Sequence, residues 1–266
     1  MLQDITLGQY FPGSTLIHRL DPRVKLVAAF LYIVALFSAQ GPVAYGLCLL
    51  WLVLVTSVSK VHIRLMLKGL KPLLFIIIFT AVLNVFYTPG RIIYEFYFLH
   101  ITYEGIALAF YMVVRIILLI TGTSLLTYTT SPIMLTDGIE LLLNPLKKIK
   151  VPVHELSMMM TIALRFIPTL IEETEKIMNA QKARGADFES GRLIRRIKAL
   201  SPVLIPLFVS AFRRADELAV AMECRLYRGG EGRTRLKELS LTRADYYSLA
   251  FCLVFTALAI LSGKIF

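Results

Sequence analysis

The chain has 266 residues, of which 57% are apolar and 18% charged, against roughly 45–50% and about 25% in an ordinary soluble domain. With a mean hydropathy of +0.69, this composition excludes a disordered chain, a secreted disulfide scaffold and a conventional soluble enzyme, and it predicts an all-α polytopic membrane protein. The formal net charge of +11 is no argument for nucleic acid here, because the basic residues of membrane proteins collect in loops on the cytoplasmic side.

Residues 1–20 carry Asp4, Gln9, Pro12, Gly13, His18 and Arg19, with no apolar stretch behind a basic start, so no cleavable signal is expected. The first apolar run, 24–39, is broken by Gly41-Pro42, and the second, 43–58, is stopped by Lys60, His62 and Arg64. The uncharged break between them reads as a tight hairpin at the far membrane face. A basic loop should follow, and a third span from Pro72 to Thr88 has Asn84 as its one strongly polar side chain. Residues 91–104 are rich in Tyr and Phe and suit the aromatic belt of the interface. A fourth span, Gly105 to Thr129, is interrupted by Arg115, and a fifth runs from Tyr246 to Ser262. About five transmembrane helices are therefore expected, some of them short of the ~20 residues that cross about 30 Å. Cys48, Cys224 and Cys252 lie far apart, and no disulfide framework or zinc site is implied.

Between spans four and five lies a long charged region. Residues 131–243 hold nineteen Lys/Arg and thirteen Asp/Glu. The segment before span one and the loop after span two are also basic, whereas the turn between spans one and two carries no charge. The excess of Lys and Arg places the N-terminus and residues 131–243 in the cytoplasm and the C-terminus outside. The chain then parses as an N-terminal membrane domain (1–130), a cytoplasmic module (131–243) and a C-terminal transmembrane helix (244–266).

Inside the module, Pro132 can open a helix capped by Thr130 or Ser131 and ending at Asn144-Pro145. From Val153 onward, Leu156, Met160, Ala163, Leu164, Ile167, Leu170, Ile171, Ile177 and Met178 recur at three and four, the spacing of one helix face. Glu172, Glu173, Glu175 and Lys176 occupy the opposite face. Pro168 should bend this helix without ending it, and Gly185 suits the residue just past its end. A second long helix should run from near Ser190 to about Arg225, kinked at Pro202 and Pro206. Each of the two helices finishes on an Arg near glycine, Arg184 and Arg225.

Motifs for catalysis are scarce. His154-Glu155 starts like a zinc-protease helix, but Met158 stands where the second His belongs. There is no phosphate-binding GxxxxGK[ST] loop and no GxSxG elbow. Arg115, inside a span, costs at least ~2.5–3.5 kcal/mol to insert. It reads either as a functional group or as a side chain that snorkels or bonds Asn84 or a neighbouring Thr. Arg184 and Arg225 read either as dipole-offsetting C-terminal residues or as a pair of contact points for partner carboxylates. Met158, Met159, Met160 and Met178 serve either as core or as a surface able to repack against several partners. The basic run Arg192, Arg195, Arg196, Lys198 is a solvated face or a lipid-headgroup contact.

Several segments together carry a resemblance. Tyr10-x-Pro12-Gly13-Ser14-x-x-x-His18-Arg19-Leu20-Asp21-Pro22-Arg23-x-Lys25, Pro152-x-His154-Glu155, Leu164-Arg165-Phe166-Ile167-Pro168-Thr169, Ala180-Gln181-Lys182-Ala183-Arg184-Gly185 and Ala221-Met222-Glu223-Cys224-Arg225-x-Tyr227-Arg228-Gly229-Gly230 resemble the T-component of energy-coupling factor (ECF) transporters. The closest likeness is to the shared-module type of Gram-positive bacteria. The resemblance implies a non-catalytic scaffold in a bacterial cell membrane, joining two ABC-type ATPase subunits to an exchangeable S-component that binds a vitamin or other micronutrient. It implies that ATP and Mg belong to the ATPases, and that this chain binds no cofactor and no nucleic acid. The family's two Arg-centred docking motifs map onto Ala183-Arg184-Gly185 and Cys224-Arg225-Leu226, the second with Cys and Leu where small residues are common. The apolar face through Met159, Met160, Ala163, Ile167, Leu170 and Ile171 would then hold the S-component, and long kinked helices would carry ATP-driven movement from the Arg ends to that face. The rival class is a permease or channel with its substrate site in its own spans, for which Asn84, Arg115 and scattered Thr are the polar groups on offer. An intramembrane enzyme lacks candidate residues.

Overall fold

The computed structural model of the chain describes residues 10–96, 99–186, 188, 193–229 and 239–265, with the side chains of 94–100, 193–199, 264 and 265 outside that set. A single turn, α1 (Leu16–Arg19), precedes α2 (Pro22–Ser38). Asp21 caps α2 by accepting from the Arg23 N–H, and Pro22 occupies the first helical position, where its missing N–H costs nothing. Helix α3 (Gly41–Ser59) starts directly after the Gly41-Pro42 break.

Residues 60–71, expected as a basic loop, are helical from Ile63. Ile63, Met66, Leu67 and Leu70 recur at three and four, which gives this stretch an apolar face and makes α4 (Ile63–Leu70). Pro72 cannot donate to the preceding turn. The chain tightens there into a 3-10 turn over Lys71–Leu73 and continues as α5 (Leu74–Tyr87). The β-branched and aromatic stretch that follows forms an antiparallel hairpin, β1 (Ile92–Phe96) with β2 (Leu99–Thr102), irregular between Ile92 and Tyr94. Such residues favour an extended, half-covered surface. Helix α6 (Tyr103–Thr129) is capped by the Thr102 hydroxyl. Beyond it come α7 (Pro132–Leu143), opened by Ser131 accepting from the Met134 N–H, then α8 (Val153–Ala183), α9 (Leu193–Cys224) and α10 (Arg243–Ile265).

Among the described residues, four helical stretches are long and apolar enough to cross a membrane: 41–59, 63–87, 103–129 and 243–263. The expected first span is α2, which has 17 residues and is shorter than the other four, at 19 to 27. The protein is an all-α polytopic membrane protein.

The chain divides into two compact units, one of residues 8–138 and 238–266, the other containing 139–237. In the first, the core lies where α2, α3, α6 and α10 meet. Trp51 stacks on Tyr32 at 4.5 Å between ring centroids and on Phe255 at 5.8 Å. The Tyr32 hydroxyl donates to the Leu118 carbonyl at 3.1 Å. Gly122 of α6 lies against the Tyr32 ring, so that any Cβ there would overlap it. In the second unit, α8 and α9 pack on one another. Pro168, Pro202 and Pro206 all sit inside these helices without terminating them.

Candidate functional site

Both long helices of the 139–237 unit end in the same backbone device. At the end of α8, Arg184 is the last half-helical residue, Gly185 has a φ of +87°, the Gly185 N–H bonds the Lys182 carbonyl at 2.9 Å, and the Ala186 N–H bonds the Gln181 carbonyl at 3.0 Å. At the end of α9, Arg225 takes the place of Arg184. Leu226 has a φ of +55°, its N–H bonds the Glu223 carbonyl at 2.9 Å, and the Tyr227 N–H bonds the Met222 carbonyl at 3.0 Å. This pair of bonds is the Schellman motif, which satisfies carbonyls otherwise orphaned at a helix C-terminus. The two arginines therefore occupy equivalent positions. Ala183, Arg184, Gly185, Cys224, Arg225 and Leu226 are all exposed, and neither guanidinium has an ion-pair partner among the described residues.

Between those ends, Glu173 joins the helices. Its carboxylate accepts from the Ser210 hydroxyl and, at 2.9 Å, from Arg214. The Ser210 bond most of all holds the Glu173 carboxyl below the usual carboxylate range, against the opposing effect of burial, and the Arg214 hydrogen bond and charge add to it. Glu173 is thus not a solvated residue of a free polar face, because α9 presents a hydroxyl and a guanidinium to it. His154 lies with Nδ1 3.1 Å from Glu140 Oε1, a contact between the start of α8 and the end of α7.

The apolar face of α8 is open. Met159, Met160 and Ala163 are exposed, and Ile167, Leu170 and Ile171 are half-buried. A second open face lies on α9, where Leu204, Ile205, Phe208, Val209 and Phe212 are exposed. Their spacing of one and three carries a helix face in the sequence, and the prolines at 202 and 206 obscure it. Of the basic run, Arg192 and the side chains of Arg195, Arg196 and Lys198 lie outside the described residues.

Within the spans, Arg115 and Asn84 are not brought together. The Arg115 Nε donates to the Tyr45 hydroxyl at 2.9 Å and Nη2 to the Ala39 carbonyl at 3.4 Å. The guanidinium also lies 5.7 Å from the Tyr45 ring centroid and 6.0 Å from that of Phe37. A cation at the C-terminus of α2 offsets its helix dipole, and the rings shelter it. Asn84 turns back on its own helix, donating to the Thr80 carbonyl at 2.8 Å and reaching the Met112 sulfur at 3.2 Å. A pocket in the membrane unit is lined mainly by apolar residues, among them Ile17, Ala28, Trp51, Leu125 and Phe251, and neither Asn84 nor Arg115 lines it.

Comparison with known proteins places this architecture. A family model described as "Cobalt transport protein" (CbiQ) matches residues 13–236. A protein of Ruminiclostridium cellulolyticum named "Energy-coupling factor transporter transmembrane protein EcfT" is 54% identical over 100% of both chains. The Bacillus subtilis protein of the same name is 49% identical over 97% of this chain and 98% of its own, and that of Lactococcus lactis is 45% identical over 99% and 100%. On the family match over residues 13–236 and relatives about half identical along nearly their whole length, the chain belongs to the T-components of energy-coupling factor transporters.

Proposed function

We propose that this chain is the membrane scaffold through which two ABC-type ATPase subunits drive uptake of a vitamin or other micronutrient captured by a separate, exchangeable S-component. The observation that carries this reading is the pair of equivalent helix ends, each presenting an exposed arginine with no ion-pair partner among the described residues. Two like subunits each need one contact point, and a guanidinium suits a groove lined with carboxylates because it bonds them bidentately. The open faces of α8 and α9 supply apolar surface for a membrane-embedded partner, and exposed patches of that kind mark interaction sites. ATP and Mg reside on the ATPases, and this chain contributes no catalytic group. The Lys/Arg excess in 131–243 supports a cytoplasmic module, with the N-terminus inside and the C-terminus outside the bacterial cell membrane.

The test is copurification from native membranes in mild detergent. Two ATP-binding subunits and at least one small membrane protein should accompany the tagged chain. Arg184→Ala and Arg225→Ala should each weaken ATPase docking by about 2 kcal/mol, roughly 30-fold, the scale of a truncated charge pair in an interface. The double variant should lose the ATPases altogether. Recovery of the chain alone, binding substrate by itself, would defeat the proposal and return attention to the spans.

A further inference from the structure

Three residues at the start of α2 hold the end of α6 and the segment that returns into α10, which flank the 139–237 unit on either side. Thr129 is the last residue of α6, and the described part of the return segment runs from Leu239 into α10. Lys25 Nζ donates to the Thr129 carbonyl at 3.0 Å and to the His18 carbonyl at 3.1 Å. Arg23 Nη2 donates to the Leu239 carbonyl at 3.1 Å, while Nε and Nη2 grip the Asp21 carboxylate at 3.1 and 2.9 Å. The Asp21 N–H donates to Asp245 Oδ1 at 2.8 Å, and Asp245 Oδ2 accepts from the Thr242 N–H and hydroxyl at 2.8 and 2.6 Å, capping α10. The Phe11 N–H adds a bond to the Tyr128 carbonyl at 2.9 Å.

Capping alone does not account for this arrangement. Lys25 is 6% exposed and Asp245 1%, and burying charge is costly unless every group is bonded. A neutral donor would satisfy one free carbonyl at the end of α6. Here two charged side chains and one backbone N–H from a single helical turn reach across 104, 216 and 224 residues of sequence, to the end of α6 and to the return into α10.

We propose that Asp21, Arg23 and Lys25 form a clasp that ties both flanks of the 139–237 unit, the end of α6 and the return into α10, to α2, so that displacement of that unit is passed to the spans and not absorbed at the connections. These are positioning residues for transport, and the proposal rests on the scaffold reading above. Lys25→Met removes the bond to the end of α6, Arg23→Gln weakens the one to the return, and Lys25→Arg keeps a donor for the first.

The experiment has two arms. Hydrogen–deuterium exchange on the purified chain should show faster exchange around 126–136 in Lys25→Met and around 239–246 in Arg23→Gln. Unchanged exchange in both would overturn the clasp whatever the chain's partners are. In the second arm, the complex copurified from membranes is reconstituted in vesicles, and ATP hydrolysis and substrate uptake are measured together. Either variant should assemble and hydrolyse ATP within about twofold of wild type, while uptake per ATP falls roughly tenfold, the scale of a lost coupling energy. Lys25→Arg should restore it. Wild-type uptake per ATP in both variants overturns the proposal. So does failure of Lys25→Met and Lys25→Arg to assemble alike, with Arg23→Gln fully coupled, since that pattern is a folding role alone. Absence of ATPases from the wild-type preparation would instead sink the scaffold reading and leave the exchange arm to judge the clasp.

Discussion

Leu226 is the most strained of the candidate docking residues. Its φ of +55° lies in the left-handed region, where a residue with a Cβ pays roughly 1–2 kcal/mol and glycine does not, yet its side chain is 75% exposed and recovers little by packing. Leu226→Gly should therefore raise the stability of the purified protein by about 1 kcal/mol, read as an upward shift of the thermal unfolding midpoint, and Gly185→Ala should lower it by a similar amount. Only half of this symmetry was legible in advance. Gly185 announces itself, because glycine is the common residue past a helix end, whereas leucine signals nothing of the kind, and the equivalence of the two ends emerges only from their hydrogen bonds. Arg115 shows the same limit. Its charge inside an apolar run is visible in the sequence, but its partners Tyr45 and Ala39 stand 70 and 76 residues away, beyond anything local spacing can reveal.

At the scale of elements, apolar runs with clear breakers, as at 43–58 and 105–129, and the three-and-four repeat that carries α8 through Pro168 were readable. Elements whose identity depends on a neighbour were not. The hairpin at 92–102 needs both strands before either is stable, and α4 was hidden behind its own basic residues. The pairing of α8 with α9 through Glu173 belongs here too, and it carries a pH dependence. A carboxyl held below its ordinary value binds its proton more weakly in the folded state than in the unfolded one. Its contribution is complete above the ordinary value of 4.5 and is lost as pH falls through the lower folded value. Thermal unfolding followed by circular dichroism from about pH 6 to about pH 3 should show that loss in the native protein. Glu173→Gln should be destabilised by up to about 1 kcal/mol near neutral pH, as for a partly exposed pair, with a shallower acid dependence.

At the scale of the molecule, the sequence made the all-α membrane class plain, because it is a matter of composition over many residues. The purpose of the signature around Asp21-Pro22-Arg23 was not plain, since its partners at the end of α6 and on the return into α10 lie more than 100 residues away. That signature has a topological consequence. Because the end of α6 and the return into α10 meet beside one turn of α2, residues 139–237 are a cassette spliced into the membrane unit of residues 8–138 and 238–266. Such segments are readily exchanged when their flanks are neighbours. Grafting the corresponding cassette of the Lactococcus lactis relative, 45% identical in sequence, between Gly138 and Glu238 should leave the recipient's bundle intact and, on the scaffold reading, transfer the donor's choice of ATPase. Copurification of the chimaera against both sets of ATPases would show which half of the protein holds that choice.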